Sequence, residues 1–222
     1  MIAKLRGVFP LALTIAVLSY LYVEFVLNFT FHWVTDGDLG IGLALPSNFH
    51  MVIPAGFVTW GIFFMLGADN AAAVKTVIAA VVGSLGALVF MILGPAIADL
   101  PDFFGLAIAV GVVALVLVLA VPFSDKYNVA ATFPPFASVV FWWIATGLDG
   151  WADKGGGVGN TPAALGDPAT AGTGAFGGVI STPYFMVFVN TLVTLIVGVI
   201  FGVASARLSG LLSARMNPAD KS

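Results

Sequence analysis

The residues able to do chemistry inside this chain are few, and their spacing suits the lining of a path better than a catalytic site. Glu24 is the only glutamate and the only acid placed within an apolar run instead of at its end. It shares a helical face with Tyr20, four residues earlier. A carboxyl group facing lipid there is costly, so Glu24 is expected to face protein or a water-filled cavity. Bonding to neighbouring helices, or reaching to the outer interface, is the structural alternative.

A second group of candidates lies in the last apolar run. Asn190 and Thr194 are four residues apart and in line with Gly198 and Gly202. The glycines predict close packing between helices, and Gly83 in the third run offers a matching small surface. A buried amide needs hydrogen-bond partners. A second helix or a passing solute would supply them for Asn190, and both interpretations stay open.

Aromatic residues form the third group. Phe57, Trp60 and Phe64 share one face of the second run, and Trp143 lies in the fifth. Together they suggest an apolar constriction that passes small uncharged molecules while opposing ions by dewetting. The structural alternative is that these rings face lipid or fill gaps between helices.

Other kinds of chemistry find no support in the sequence. The chain has no cysteine, and its two histidines belong to no cluster with metal-ligand spacing. It has no phosphate-binding glycine loop, no nucleophile motif and no pair of buried carboxylates. We therefore expect no enzyme activity, no cofactor and no metal. The absence of a basic patch excludes nucleic acid as a partner.

The elements that must position these residues are membrane helices. Hydrophobic residues make up 60% of the 222 and charged residues 9%, and the mean hydropathy is +1.08. Runs of about 20 apolar residues span the hydrocarbon of a bilayer. The predicted fold class is all-α, a single transmembrane domain over residues 1–222. Its six spans lie near 8–27, 51–66, 71–97, 103–123, 130–148 and 184–212.

The charges predict the orientation of these spans. With the N-terminus in the cytoplasm, seven of the eight Lys and Arg residues face inward and only Lys154 faces outward. The positive-inside rule asks for this asymmetry. Both termini are thus predicted to be cytoplasmic, in an integral membrane protein placed in the plasma membrane. Residues 150–183, which hold ten of the 26 glycines, are predicted to form an external loop.

Three spans precede the middle of the chain and three follow it, which predicts a 3+3 inverted repeat. The second and fifth spans are the shortest, and both begin near a proline, as in inverted-repeat transporters. A weak internal sequence similarity accompanies them. Residues 80 positions apart match in three pairs: Pro54 and Pro134, Gly67 and Gly147, Asp69 and Asp149.

The chain also resembles known proteins. Its six spans, its glycine-spaced last helix and the block His50-Met-Val-Ile-Pro-Ala-Gly-Phe-Val-Thr-Trp-Gly-Ile-Phe-Phe-Met-Leu-Gly-Ala-Asp69 resemble a family of small bacterial inner-membrane proteins of undescribed function. The Ala-, Gly- and Asp-rich outer loop makes the chain similar to the low-CO2-inducible plasma-membrane CO2 channels of green algae. That second resemblance implies a homotrimer, CO2 as the solute and a role in a carbon-concentrating mechanism.

Three functions remain as hypotheses. The leading one is a passive channel for a small neutral solute, with CO2 chosen by resemblance. A transporter of bicarbonate or another small anion would need a cation deep in the membrane, whereas Lys75 and Arg207 lie near the ends of their spans. The third is a structural subunit of a membrane complex. The expected partners are the solute, the lipid bilayer and further copies of the chain.

Overall fold

The computed structural model describes residues 2–30, 49–97, 100, 104–146 and 184–216, and every regular element within them is helical. The all-α class is therefore confirmed for this part of the chain. The predicted loop over 150–183 and Lys154 lie outside the described residues. The helices are α1 (Ile2–Asn28), α2 (Ile53–Met65), α3 (Asn70–Ala96), α4 (Phe104–Leu119), α5 (Val129–Thr146) and α6 (Tyr184–Met216), with a 3-10 turn (Val121–Phe123) after α4.

Membrane character is clear from length and hydropathy. Within the described residues, four helical stretches are long and apolar enough to cross a bilayer: Leu5–Asn28, Asn70–Ala96, Phe104–Phe123 and Tyr184–Met216. The other two helices are apolar but shorter. At about 1.5 Å per residue, α2 is about 20 Å long and α5 about 27 Å, less than the ~30 Å of hydrocarbon. The chain is thus an integral membrane protein with four long helical stretches, one of which joins α4 to the 3-10 turn that follows it, and two shorter apolar helices.

Local sequence fixes where α2 ends and α3 begins. Gly67 and Ala68 both take positive φ angles, +113° and +58°, and Ala68 N–H donates to the Phe63 carbonyl at 3.0 Å. Such a reversal closes the carbonyl end of a helix. Asp69 then caps α3, because its Oδ1 accepts from Ala72 N–H at 2.7 Å. The end of the bundle that carries this turn is called the inner end below, since the charges predict it to face the cytoplasm. The opposite end is the outer end.

The long helices α3 and α6 occupy the centre and the other helices pack around them. The short helix α2 packs mainly on α6, and the short helix α5 mainly on α3. Likewise α1 lies on α6 and α4 on α3, while α3 and α6 contact each other. Apolar side chains of α2, α3, α4, α5 and α6 form the main core, which includes Ala80, Val113, Trp143 and Leu195.

The glycines of α3 and α6 let the short helices α5 and α2 pack closely against them. A Cβ on Gly198 would overlap the Gly56 carbonyl oxygen of α2, and one on Gly202 would press on the Phe63 ring. A Cβ on Gly83 would overlap the Thr132 carbonyl oxygen of α5. The nearest neighbours of Gly83 thus lie on α5, and those of Gly198 and Gly202 lie on α2. Each central helix uses its own glycine to admit the backbone of a short helix.

Candidate functional site

The densest group of buried polar side chains lies at the outer end, where the chain enters α2. His50 is 4% exposed, and its Nε2 accepts a hydrogen bond from Trp142 Nε1 at 2.7 Å. The Asn190 amide nitrogen lies 3.1 Å from the other ring nitrogen, Nδ1. Because an indole only donates, the contact with Trp142 requires an unprotonated Nε2. We call His50, Trp142 and Asn190 the outer polar cluster. It joins α5, α6 and the segment before α2.

Asn190 and Thr194 have a clear partner, the backbone of residues 50–52. His50 N–H donates to Asn190 Oδ1 at 3.4 Å, and Val52 N–H donates to Thr194 Oγ1 at 3.0 Å. Met51 N–H between them donates to Thr30 Oγ1 at 3.1 Å. In a bilayer every buried backbone N–H needs such a partner. The open question about the Asn190 amide is thus answered for this oxygen, which holds the entry to α2.

Neutral polar contacts continue inward along the interface between α2 and α6. Thr59 Oγ1 donates to the Leu195 carbonyl at 2.5 Å, beside the close approach of Gly56 and Gly198. Both Thr59 and Thr194 are completely buried. The interface between α2 and α6 therefore carries hydroxyl and backbone groups at its centre.

Next to this interface, an aromatic cluster is formed by Tyr22, Phe57, Trp60 and Phe201. Phe57 and Trp60 stack with ring centroids 5.7 Å apart and planes 2° from parallel. Tyr22 meets Phe57 edge-on at 5.2 Å, and its hydroxyl donates to the Ile53 carbonyl at 2.9 Å. Trp60 Nε1 donates to Ser205 Oγ at 3.0 Å. The cluster ties α1 to α2 and α6, and Phe64 packs against the same group of apolar side chains.

The remaining sequence candidates lie elsewhere. Trp143 is completely buried, but it meets Phe90 of α3 edge-on at 5.8 Å and belongs to the main core. The structure thus does not bring Trp143 to the cluster that holds Trp60 and Phe64. Tyr20 is 67% exposed, and Glu24 is also exposed, with Oε1 accepting from Asn28 Nδ2 at 3.1 Å. These two residues face outward from the described bundle.

At the inner end, a pocket of about 180 Å³ opens beside the turn between α2 and α3. Phe63, Ala68, Asp69, Val203 and Arg207 are among its lining residues. Phe63 is 1% exposed, packs against Gly202 and lines the pocket, so its ring lies where the inner pocket meets the α2–α6 interface. The inner pocket carries both an acid and a base at its rim, because Asp69 and Arg207 are exposed there.

Charge is confined to the periphery of the described structure. Among the side chains described, no Asp, Glu, Lys or Arg is buried, and Lys75 is the one that is half-buried. The buried polar residues in the same ranges are all Ser, Thr, Asn or His. No group of three His, Cys, Asp or Glu residues in the described part of the chain is placed to hold a metal ion.

Sequence reasoning misses four residues that matter here: Tyr22, His50, Thr59 and Phe63. It assigns His50 to no cluster, because a histidine just before a helix carries no sign of its partners 92 and 140 residues away. It selects Phe64 instead of its neighbour Phe63. The one available signal for Phe63 is Gly202 on α6, since a glycine at a helix interface leaves room for a close neighbour.

Replacing Trp142 with Phe is expected to lower the thermal unfolding temperature of the detergent-solubilised protein by about 2–4 °C. The change keeps an aromatic ring but removes the N–H that bonds His50, a loss of about 1 kcal/mol for a hydrogen bond in a membrane protein. Phe141→Leu is the control, because Phe141 is next in sequence and 62% exposed. Equal melting of Trp142→Phe and the unmodified protein would contradict a structural role for this bond.

Comparison with known proteins gives one match. A family model described as "Protein of unknown function (DUF1097)" matches residues 12–210, which include all six helices in whole or in part. No curated protein and no solved structure matches the chain. The match agrees with the resemblance to a family of undescribed function. It gives no link to the algal CO2 channels.

Proposed function

The chain belongs to the DUF1097 family of proteins of unknown function, and from that premise we propose that it is a passive membrane channel for small neutral solutes, with CO2 as the solute. The observation that carries the proposal is the lack of buried charge among the residues that the structure describes. The described charged side chains all stay out of the core, while the buried polar groups are hydroxyls, an amide and an imidazole.

The packing supports an internal repeat of two halves, α1–α3 and α4–α6, and an odd number of spans in each half would make the second run inverted. Exchanging equivalent helices of the two halves turns the α2–α6 contact into α5–α3 and the α1–α6 contact into α4–α3. The contact between α3 and α6 maps onto itself. The same exchange turns the contact of Gly198 on α6 with α2 into the contact of Gly83 on α3 with α5. In inverted-repeat transporters the short or interrupted helices flank the conduction site, which directs attention to α2 and α5.

We place the path along the α2–α6 interface, because it joins the two halves and leads from the outer polar cluster to the inner pocket. Thr59 and Thr194 offer neutral oxygen atoms along it. Phe63 closes its inner part, and Trp60 flanks it from the side of α1. A narrow apolar constriction of this kind opposes hydrated ions and admits small uncharged molecules.

Bicarbonate fits the interior less well than CO2. An anion transferred from water into hydrocarbon needs a compensating cation. The described cations include Lys75, half-buried near the start of α3, and Arg207, exposed at the inner pocket. Both lie at the inner end, so neither would accompany an anion across the centre of the bundle.

The proposed setting is the plasma membrane, with both termini cytoplasmic and the chain in a homo-oligomer. A trimer is implied by the algal resemblance alone. The outward face of α1, with Tyr20 and Glu24, is free to meet lipid or another copy, and a role of these two residues in conduction requires a path on that face.

Stopped-flow mixing of proteoliposomes with dissolved CO2 tests the proposal. With carbonic anhydrase and a pH dye inside sterol-rich vesicles of low intrinsic permeability, internal acidification is expected to be faster with the protein than without it. Vesicles with an unrelated membrane protein at the same protein-to-lipid ratio are the control. Equal rates in all three preparations would reject conduction and favour the structural-subunit alternative.

A further inference from the structure

A long apolar groove runs along the contact between α1 and α6, away from the outer polar cluster and the inner pocket. Its volume is about 500 Å³, within the ~300–1,000 Å³ range of ligand-binding sites. Leu13, Val17 and Leu21 form one wall and Leu208 and Leu211 the other. Thr14 also lines it, but its hydroxyl donates to the Pro10 carbonyl at 2.7 Å, so the side chain's donor is already used within α1.

Two arginines mark one end of this groove. Arg215, in the last turn of α6, is exposed and is itself a lining residue. Arg6 is exposed on α1, seven residues before Leu13. Seven residues are two helical turns, so Arg6 lies on the same face as Leu13 and about 10 Å beyond it. The apolar α1–α6 groove thus ends in a mouth that carries two positive charges.

The position of this mouth suits the headgroup region. The 33 residues of α6 make a helix of about 50 Å, well beyond the ~30 Å of hydrocarbon. Its final turns therefore reach the lipid headgroups, at the end predicted to be cytoplasmic. Basic pockets between helices at that level bind anionic headgroups.

We propose that the α1–α6 groove is a binding site for one anionic phospholipid, with an acyl chain between Val17 of α1 and Leu208 of α6, and the phosphate at Arg215 and Arg6. The groove and an anionic phospholipid are complementary in charge and polarity. A second copy of the chain would have to bring an acidic, apolar surface to the same place, whereas an anionic lipid carries both features in one molecule. The inference needs only the membrane location of the chain and is independent of what the chain conducts.

Native mass spectrometry of the delipidated full chain, titrated with phosphatidylglycerol or phosphatidylcholine, tests this site. One phosphatidylglycerol is expected to bind preferentially. At about 1 kcal/mol per basic side chain near a headgroup, Arg215→Gln should weaken its binding roughly fivefold. Leu211→Trp should abolish it by filling the groove. Arg207→Gln, which removes an exposed cation outside the groove, and Leu115→Trp, at a 58% exposed position on α4, are the controls.

Several results would overturn the proposal. Equal affinity for phosphatidylglycerol and phosphatidylcholine would mean that the arginines do not select the headgroup. Unchanged binding in both Arg215→Gln and Leu211→Trp would place the lipid elsewhere. Cross-linking of cysteines introduced at Val17 between two copies would assign the groove to oligomer contact. Elution of each variant at the position of the unmodified protein shows that it is folded, and an unfolded Leu211→Trp is replaced by Leu208→Trp.

Discussion

Gly198→Ala is expected to remove most of the folded protein from mild detergent. A Cβ at this position would overlap the Gly56 carbonyl oxygen and the Thr59 hydroxyl, both on α2. Backbone atoms cannot rotate away, so α2 must separate from α6, and the bond from Thr59 to the Leu195 carbonyl is lost. Overpacking and the lost bond together should destabilise the fold by about 3 kcal/mol or more.

Size-exclusion chromatography after graded heating measures this loss. Gly61→Ala on α2 is the matched control, because a Cβ there meets nothing within 4 Å, and alanine is the better helix former. Gly83→Ala should behave like Gly198→Ala, because its Cβ would overlap the Thr132 carbonyl oxygen of α5. If Gly198→Ala lost its folded form at the same temperature as the unmodified protein, α2 would not approach α6 this closely.

The second large effect is expected at Phe63. Phe63→Ala removes the ring that lies where the inner pocket meets the α2–α6 interface. If the path lies there, CO2 permeability should rise, by roughly twofold or more, because the constriction is wider and wets more easily. The same change costs about 3 kcal/mol, as for other buried Phe residues. The CO2 permeability of the folded fraction of Phe63→Ala is therefore compared with that of the same amount of folded, unmodified protein.

Phe141→Ala is the control for Phe63→Ala, since it removes the same ring from a 62% exposed position on α5. Stopped-flow acidification of vesicles with equal amounts of folded protein gives the comparison. An unchanged rate for folded Phe63→Ala would exclude the α2–α6 interface as the route. It would leave open conduction along the outward face of α1, where Glu24→Gln would then be the informative change.

Much of the fold was predictable because bilayer physics leaves few solutions. Long apolar runs must be helical to satisfy their backbone, and the all-α class follows. The second and fifth apolar runs were the shortest in the sequence, and the structure has α2 and α5 as helices shorter than a membrane span. Sequence alone did not show which helices pair. The glycines of α6 predicted a close neighbour, and the structure identifies it as α2.

The candidate site was less predictable, because burial inside a membrane depends on helix rotation. Trp60 and Trp143 have equally apolar surroundings in the sequence, yet the first lies with Tyr22 and the second with Phe90. Glu24 was expected to face protein or a cavity, and its side chain is exposed. Polar neighbours far apart in the chain, such as Asn190 and its partner His50, leave no local pattern that reveals their contact.

The ratio of CO2 to bicarbonate permeability in the same proteoliposomes tests the central claim, a path without charge. Internal acidification reports CO2 entry. Internal alkalinisation under a bicarbonate gradient, with the membrane potential clamped by potassium and an ionophore, reports bicarbonate entry. The proposed uncharged path predicts that the protein accelerates CO2 entry and leaves bicarbonate entry at the level of protein-free vesicles. Bicarbonate entry accelerated as strongly as CO2 entry would contradict it.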